Sequence, residues 1–207
     1  MGEPRANPWR TVGSRTVYRN PWLSVREDRV IRPDGTDGIY GVVEIAPSCG
    51  IVAIGDDGRI ALVGQWRYVH GRFSLEIPTG SSEAGETPLD AARRELAEET
   101  GLRAARWTAL GTVDNSNGVT TDVAHIFLAR DLTAGPAAEA GNEPIELSWV
   151  PFPDAVRAVL AGEITESVSV AGILKAEILE LASREAGAPP TGGARRRPGR
   201  WRPRASR

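Results

Sequence analysis

One cysteine, one methionine, one lysine and two histidines are spread over 207 residues. Cys49 alone can neither close an internal disulfide nor build a thiolate metal site. His70 and His125 stand apart, with no cysteine or acid at ligand spacing, and are read as structural. No apolar run approaches the ~18 residues of a membrane helix, and Ile51-Val52-Ala53-Ile54 is typical of the longest. The first thirty residues carry Arg and Pro but no hydrophobic stretch of the kind a secretory signal needs. The expectation is a soluble, cytoplasmic chain without a membrane partner.

What is present is globular in proportion: 41% apolar and 25% charged residues, enough for one packed domain and an appendage. The net charge of -2 conceals an asymmetry. Arg195, Arg196, Arg197, Arg200, Arg202, Arg204 and Arg207 crowd the last twenty residues, and no acid follows Glu185. Setting those seven charges aside leaves -9 for residues 1–187. The tail has one aromatic, Trp201, and no periodicity. It is read as a disordered, solvated segment over 186–207, a weak contact with nucleic acid or an acidic surface being the alternative. Residues 1–14 are polar and expected to be flexible, which leaves a domain over 15–185.

Short β-leaning pieces separated by turn signals run from Thr16 to Glu44 and predict an antiparallel β segment over 15–46. Ile51–Ile54 and Ile60–Val63, separated by Asp56-Asp57-Gly58, predict a hairpin buried on both faces. Phe73–Ile77 predicts a short strand ending at Pro78, and Thr87–Thr100 a helix. Val123–Ala129 and Ile145–Val150 predict two more strands around a loop at Thr133–Pro144. Pro153–Leu160 and Glu166–Ser183 predict amphipathic helices, the second with Val170, Ile173, Leu174, Ile178 and Leu181 on one face. Strands interspersed with a few helices predict an α+β or layered α/β sandwich.

The chemistry concentrates in residues 80–102. Thr87 is a good N-cap, Pro88 suits the first helical position, and Gly101 a C-terminal stop. Leu89, Ala92 and Leu96 form one stripe. Glu95 and Glu99, four apart, share another face with Glu98 beside them. Like charges at that spacing weaken a helix by a few tenths of a kcal/mol. A solvated acidic face is the plain reading of a bare Glu-Glu pair; three clustered carboxylates suit a hard cation such as Mg²⁺ or Mn²⁺, which prefers oxygen ligands.

The full spacing comprises Gly80, Glu86, Arg94, Glu95, Leu96, Glu98, Glu99, Gly101 and Leu102. A chance match at these nine positions is on the order of one in 10⁸ per starting residue. It resembles the Nudix box, and Gln65-Trp66-Arg67 followed by Leu75-Glu76-Ile77-Pro78-Thr79-Gly80 is similar to the ADP-ribose pyrophosphatase branch of Nudix hydrolases. The resemblance spans roughly residues 16–183. It implies an α/β/α sandwich with a mixed central sheet and an N-terminal antiparallel β extension.

It further implies a Mg²⁺- or Mn²⁺-dependent pyrophosphohydrolase acting on a small nucleotide substrate, ADP-ribose first, with AMP and ribose 5-phosphate as products. Glu95 and Glu99 are then the principal metal ligands. Glu98 joins them or positions water, and Thr79 offers its backbone carbonyl. Arg94 braces the loop through Glu86 and counts with Glu98 and Glu99 among the catalytic residues. Arg67 and Glu76 are expected at the substrate, and Trp22 is expected to stack on the base, from the partner subunit of a homodimer. On the loop before the last strand, Glu143 is expected to complete the metal cluster, with Glu139 as the base. One departure bears on the substrate: Asn117 stands where the branch has proline, so other nucleoside diphosphate derivatives stay open. The alternative from another class is a non-catalytic Nudix-fold ligand sensor, and the intact box glutamates distinguish the enzyme from it.

Overall fold

A computed structural model describes residues 6–135 and 145–187. The described residues form three sheets and three α-helices. Strands β1 (Arg10–Arg19), β2 (Leu23–Ile31) and β3 (Asp37–Ile45) make an antiparallel N-terminal sheet in the order β1-β2-β3. Its first strand starts at Arg10, earlier than the β-leaning residues alone suggest, because Arg10–Ser14 pair with Asp28–Ile31 across the sheet.

The central sheet runs β7-β4-β9-β8, from β7 (Thr79–Ser81), β4 (Ser48–Ala53), β9 (Val123–Ala134) and β8 (Leu102–Asp114). It is mixed: β4 and β9 are parallel and the other pairs antiparallel. A third sheet, β10-β5-β6, joins β5 (Arg59–Arg67), β6 (Arg72–Glu76) and β10 (Glu146–Pro151). Helix α1 (Pro88–Thr100) covers one face of the central sheet. Helix α3 (Ser167–Gly187) covers the other, with α2 (Phe152–Ala161) beside it.

Alternation along the strands builds both layers. Cys49, Ile51 and Ala53 of β4 pack toward Ala91, Ala92 and Leu96 of α1, with Phe127 and Ala129 of β9. The intervening Val52, with Ile54, packs toward Val168, Ile173 and Ala176 of α3, joined by Ala124, Ile126 and Leu128. A period of two places successive side chains on opposite faces, so one strand serves two cores. Fully burying each large aliphatic side chain contributes about 1.5–3 kcal/mol. This is the expected α/β/α sandwich with its N-terminal β extension.

Three local expectations change, and one strand comes without an expectation. Ile51–Ile54 and Ile60–Val63 do flank a tight turn, closed by the Gly55 N–H on the Arg59 carbonyl at 2.9 Å, but they do not form a hairpin. One bridge, Ile54 to Ile60, joins them before β4 and β5 diverge into different sheets. Strand β8 was hidden by its Ala- and Arg-rich, helix-leaning composition; eleven register pairs with β9 impose the extended form. Strand β9 runs on to Ala134, into the stretch read as loop. On α3 the buried face is Val168, Ser169, Gly172, Ile173 and Ala176, whereas Ile178 and Leu181 are exposed. Small residues set that face because α3 lies close to the sheet: a Cβ on Gly172 would stand 3.0 Å from Ile77 and 3.1 Å from Val52.

Candidate active site

The box helix is fixed at both ends by its own sequence. The Asp90 N–H donates to the Thr87 hydroxyl at 3.2 Å, Pro88 opens the first turn, and Gly101 ends the helix in the left-handed conformation. Ala91, Ala92 and Leu96 are buried against the sheet, and the neighbouring face brings Glu95 to Gly80 and Glu99 to Thr79 of β7.

Arg94 is the hub of that loop. Its guanidinium donates to Glu86 at 3.2 and 3.1 Å, to Glu95 at 2.7 Å, to Glu98 at 3.0 Å and to the Ser81 carbonyl at 2.9 Å. The expected brace between Glu86 and Arg94 is therefore part of a larger fork, which spends the guanidinium on the protein itself. These partners raise the pKa of Arg94 and, chiefly through Arg94, hold the Glu86 carboxyl below its ordinary range.

Glu95 and Glu99 are the more sheltered carboxylates. Glu95 stands directly over Gly80: a Cβ there would lie 1.9 Å from the Glu95 carboxyl carbon, so only glycine admits it. Glu99 accepts the Thr79 N–H at 3.0 Å. Burial pushes Glu99 up to about 8, opposed by that N–H and reinforced by Glu95. Burial likewise raises Glu95, against the pull of Arg94. Glu98 is half exposed and turned to Arg94.

The cleft beside them has two chambers. The smaller, about 250 Å³, is lined by Glu99, Thr79, Gly80, Arg67, Asn115 and Asp122, among others. The larger, about 720 Å³, is walled by Ile45, Trp66, Tyr68, His70, Glu76 and others. Arg67, Asp122 and Glu166 belong to both. Arg67 donates from Nε to Glu76 at 2.9 Å and from a second nitrogen to the other carboxylate oxygen. Glu76 is fully buried under this bidentate pair, which leaves other guanidinium N–H groups for a ligand.

Glu95, Glu99, Thr79, Gly80, Arg67 and Glu76 are thus brought together around one cleft. Trp22 is not: it is 79% exposed at the β1–β2 turn and lines neither chamber. Glu139 and Glu143 lie outside the described residues. Sequence reasoning passed over Asp122, Asn115, Ser48 and Glu166. Asp122 accepts the Ser48 hydroxyl at 2.8 Å and the Asn115 amide at 3.0 Å. The Ser167 hydroxyl donates to Asn115 at 2.9 Å, and Glu166 accepts the N–H groups of Val168 and Ser169 at the start of α3. The only sequence signal for this wall was the Asn-Gly turn upstream of Asp122. Cys49, buried beside Gly80 in the sheet, has its thiol pushed up to about 12 by burial, away from the reactive thiolate.

A divalent cation fits this donor set. Glu95 and Glu99 are partly buried carboxylates on one helix face, and among the described residues no cationic side chain bonds Glu99. Desolvated negative charge of this kind is stabilised by a hard cation. Among the described residues no three acidic, histidine or cysteine side chains converge on one point. Two carboxylates of this region, Glu95 and Glu99, would be the side chains to hold such a cation, the rest of its shell being left to carbonyl oxygen and water.

Partly buried acids on a capped helix, a glycine that admits them and an arginine facing the adjoining chamber make a site suited to a cation and a multiply charged anion. Residues 45–168 match the family described as NUDIX domain, and residues 9–43 the nucleoside diphosphate sugar hydrolase N-terminal domain. The chain belongs to the Nudix hydrolases, on the side of the ADP-ribose pyrophosphatases. It is 36% identical over 167 residues to an ADP-ribose pyrophosphatase of Mycobacterium tuberculosis, covering 79% of this chain and 81% of that one. It is 30% identical over 194 residues to a CMP-5'-(N-acetyl-N-hydroxy-3-aminopropyl)phosphonate hydrolase of Streptomyces rubellomurinus, covering 92% and 87%. A crystal structure of an ADP compounds hydrolase superposes with a TM-score of 0.78 at 19% identity, over 87% of this chain and 98% of that one.

Proposed function

We propose that the protein is a divalent-metal-dependent pyrophosphohydrolase that cleaves the diphosphate of a nucleoside diphosphate sugar, ADP-ribose being the preferred candidate. The observation that carries this reading is the convergence of Glu99 and Arg67 on a small chamber that adjoins a larger one, with Glu95 beside Glu99 on the same helix, over Gly80. The small chamber suits a diphosphate, and about 720 Å³ lies within the range of small-ligand pockets. The Mycobacterium tuberculosis relative bears the name of the same activity.

Glu95 and Glu99 would hold Mg²⁺ or Mn²⁺ with the Thr79 carbonyl, Glu98 standing close enough to position water. The metal supplies charge neutralisation for the diphosphate and a lower pKa for attacking water. Arg67, locked by Glu76, donates fixed N–H groups to phosphate oxygen, so its orientation is set before substrate arrives. Arg94 keeps Glu95 aligned and Glu86 tethered, which holds the box loop closed on β7. Glu143 and Glu139 are proposed to supply the remaining ligand and the base. Trp22 is proposed to reach the base of a substrate bound to the partner subunit, which its exposed position on the N-terminal sheet permits.

A second reading, another nucleotide conjugate, is favoured by Asn117 at the proline position and by the CMP-phosphonate relative. Hydrolysis of ADP-ribose, other nucleoside diphosphate sugars, dinucleotides and CMP conjugates, with Mg²⁺ and with Mn²⁺, tests both. AMP and ribose 5-phosphate released at the highest kcat/KM support the first reading. A faster CMP conjugate replaces it with the second, and no turnover of any diphosphate sinks both.

A further inference from the structure

One wall of the cleft is held from outside the catalytic layers. Residues 115–122 link β8 to β9 and end at Asp122, which faces both chambers. Ser116 takes a positive φ of 51°, unfavourable for a residue with a Cβ, so the loop relies on neighbours to keep its shape. Those neighbours include the N-terminal sheet. The Val43 N–H donates to the Val119 carbonyl at 2.8 Å, and the Thr121 N–H donates to the Val43 carbonyl at 3.0 Å. The Thr121 hydroxyl accepts the Ile45 N–H at 3.1 Å and bonds the Ile45 carbonyl at 3.2 Å. The Tyr40 hydroxyl donates to the Gly118 carbonyl at 2.8 Å, its ring packed edge-on against Trp9 at 5.6 Å.

The same junction places Ile45 in the wall of the larger chamber, near Asp122. We infer that Tyr40 and Thr121 are positioning residues: they fix the wall formed by Ile45 and Asp122, and thereby the enzyme's affinity for the group attached to the diphosphate. Neither residue lines a chamber or touches the box. The inference rests on the proposed reading of the larger chamber as the seat of that group. The box glutamates act on the diphosphate whatever is attached to it, whereas Ile45 of this wall lines only the larger chamber. Loosening the wall therefore weakens binding and leaves the chemical step in place.

Tyr40→Phe and Thr121→Val each remove one hydroxyl with little change of volume, and Thr121→Ser restores one. With ADP-ribose at saturating Mg²⁺, each of the first two should raise KM roughly fivefold, the worth of one hydrogen bond, with kcat within ~2-fold. Thr121→Ser should return KM to the unsubstituted value. In the free protein, hydrogen exchange at the Val43, Ile45 and Thr121 amides should quicken in both hydroxyl-deleting variants, while Leu102–Asp114 stays unchanged. Unaltered exchange at those amides, or a fall in kcat that tracks the melting temperature with KM fixed, overturns the inference. Should the unsubstituted protein leave ADP-ribose intact, the proposed substrate fails and the exchange measurement alone decides the positioning role.

Discussion

Replacing Glu99 by glutamine separates its buried charge from its bulk. Glutamine is nearly isosteric and its carbonyl can still accept the Thr79 N–H, which lies 3.0 Å from the carboxylate. The carboxyl sits at about 8 against an ordinary 4.5, raised mainly by burial and further by Glu95. The folded, metal-free protein therefore retains a proton that the unfolded chain releases between those values. Stability contributed by this group is present below the unfolded pKa and is lost as pH rises through the folded one. Fully expressed, the displacement corresponds to roughly 5 kcal/mol between pH 4.5 and 8. In EDTA, the variant should thus gain on the wild type as pH rises from 5 to 8, measured by urea unfolding. Mg²⁺ must displace that proton, so calorimetry in buffers of different ionisation enthalpy should show proton release near pH 7 in the wild type and much less in the variant. Turnover at saturating Mg²⁺ should fall by roughly 10² or more, because a neutral amide is a poorer ligand and leaves phosphate charge less balanced. An equal stability difference at pH 5 and pH 8, or wild-type turnover, would refute the buried-ligand argument.

Gly80→Ala places a methyl group 1.9 Å from the Glu95 carboxyl carbon and must turn that carboxylate away; the fold should survive, and half-saturation by Mg²⁺ should rise ~10–100-fold in an activity titration, unchanged metal dependence counting against the Glu95 assignment. Glu143→Gln should lower kcat by at least ~10², and Glu139→Gln by less, the size expected for a positioned acid–base group; a double variant turning over like wild type would return all catalysis to the box. Light scattering should give twice the 22.2 kDa chain mass, with Trp22→Ala raising KM while the dimer persists; a fully active monomer contradicts the shared site.

The sequence by itself determined what is local. Thr87, Pro88 and Gly101 delimit the box helix because caps and stops act through neighbouring backbone groups, and four-residue spacing aligns Glu95 with Glu99 whatever surrounds them. The pairing of Glu86 with Arg94 also spans only one loop and one turn of helix. Tertiary structure decided everything that depends on which surfaces meet. Ile51–Ile54 and Ile60–Val63 look like a hairpin in sequence, yet parallel pairing with β9 draws β4 into another sheet. Arginine-rich β8 is extended because a partner strand lies beside it, against its own propensity. Trp22 lies at an exposed turn of the N-terminal sheet, away from both chambers of its own chain. Beyond its Asn-Gly turn, the wall of Asp122, Asn115 and Ser48 has no signature, since Ser48 and Asp122 are far apart in the chain and meet only across the sheet. Spacing can place two carboxylates on one helix face, but the burial that raises Glu99 exists only once β7 and α1 have packed together.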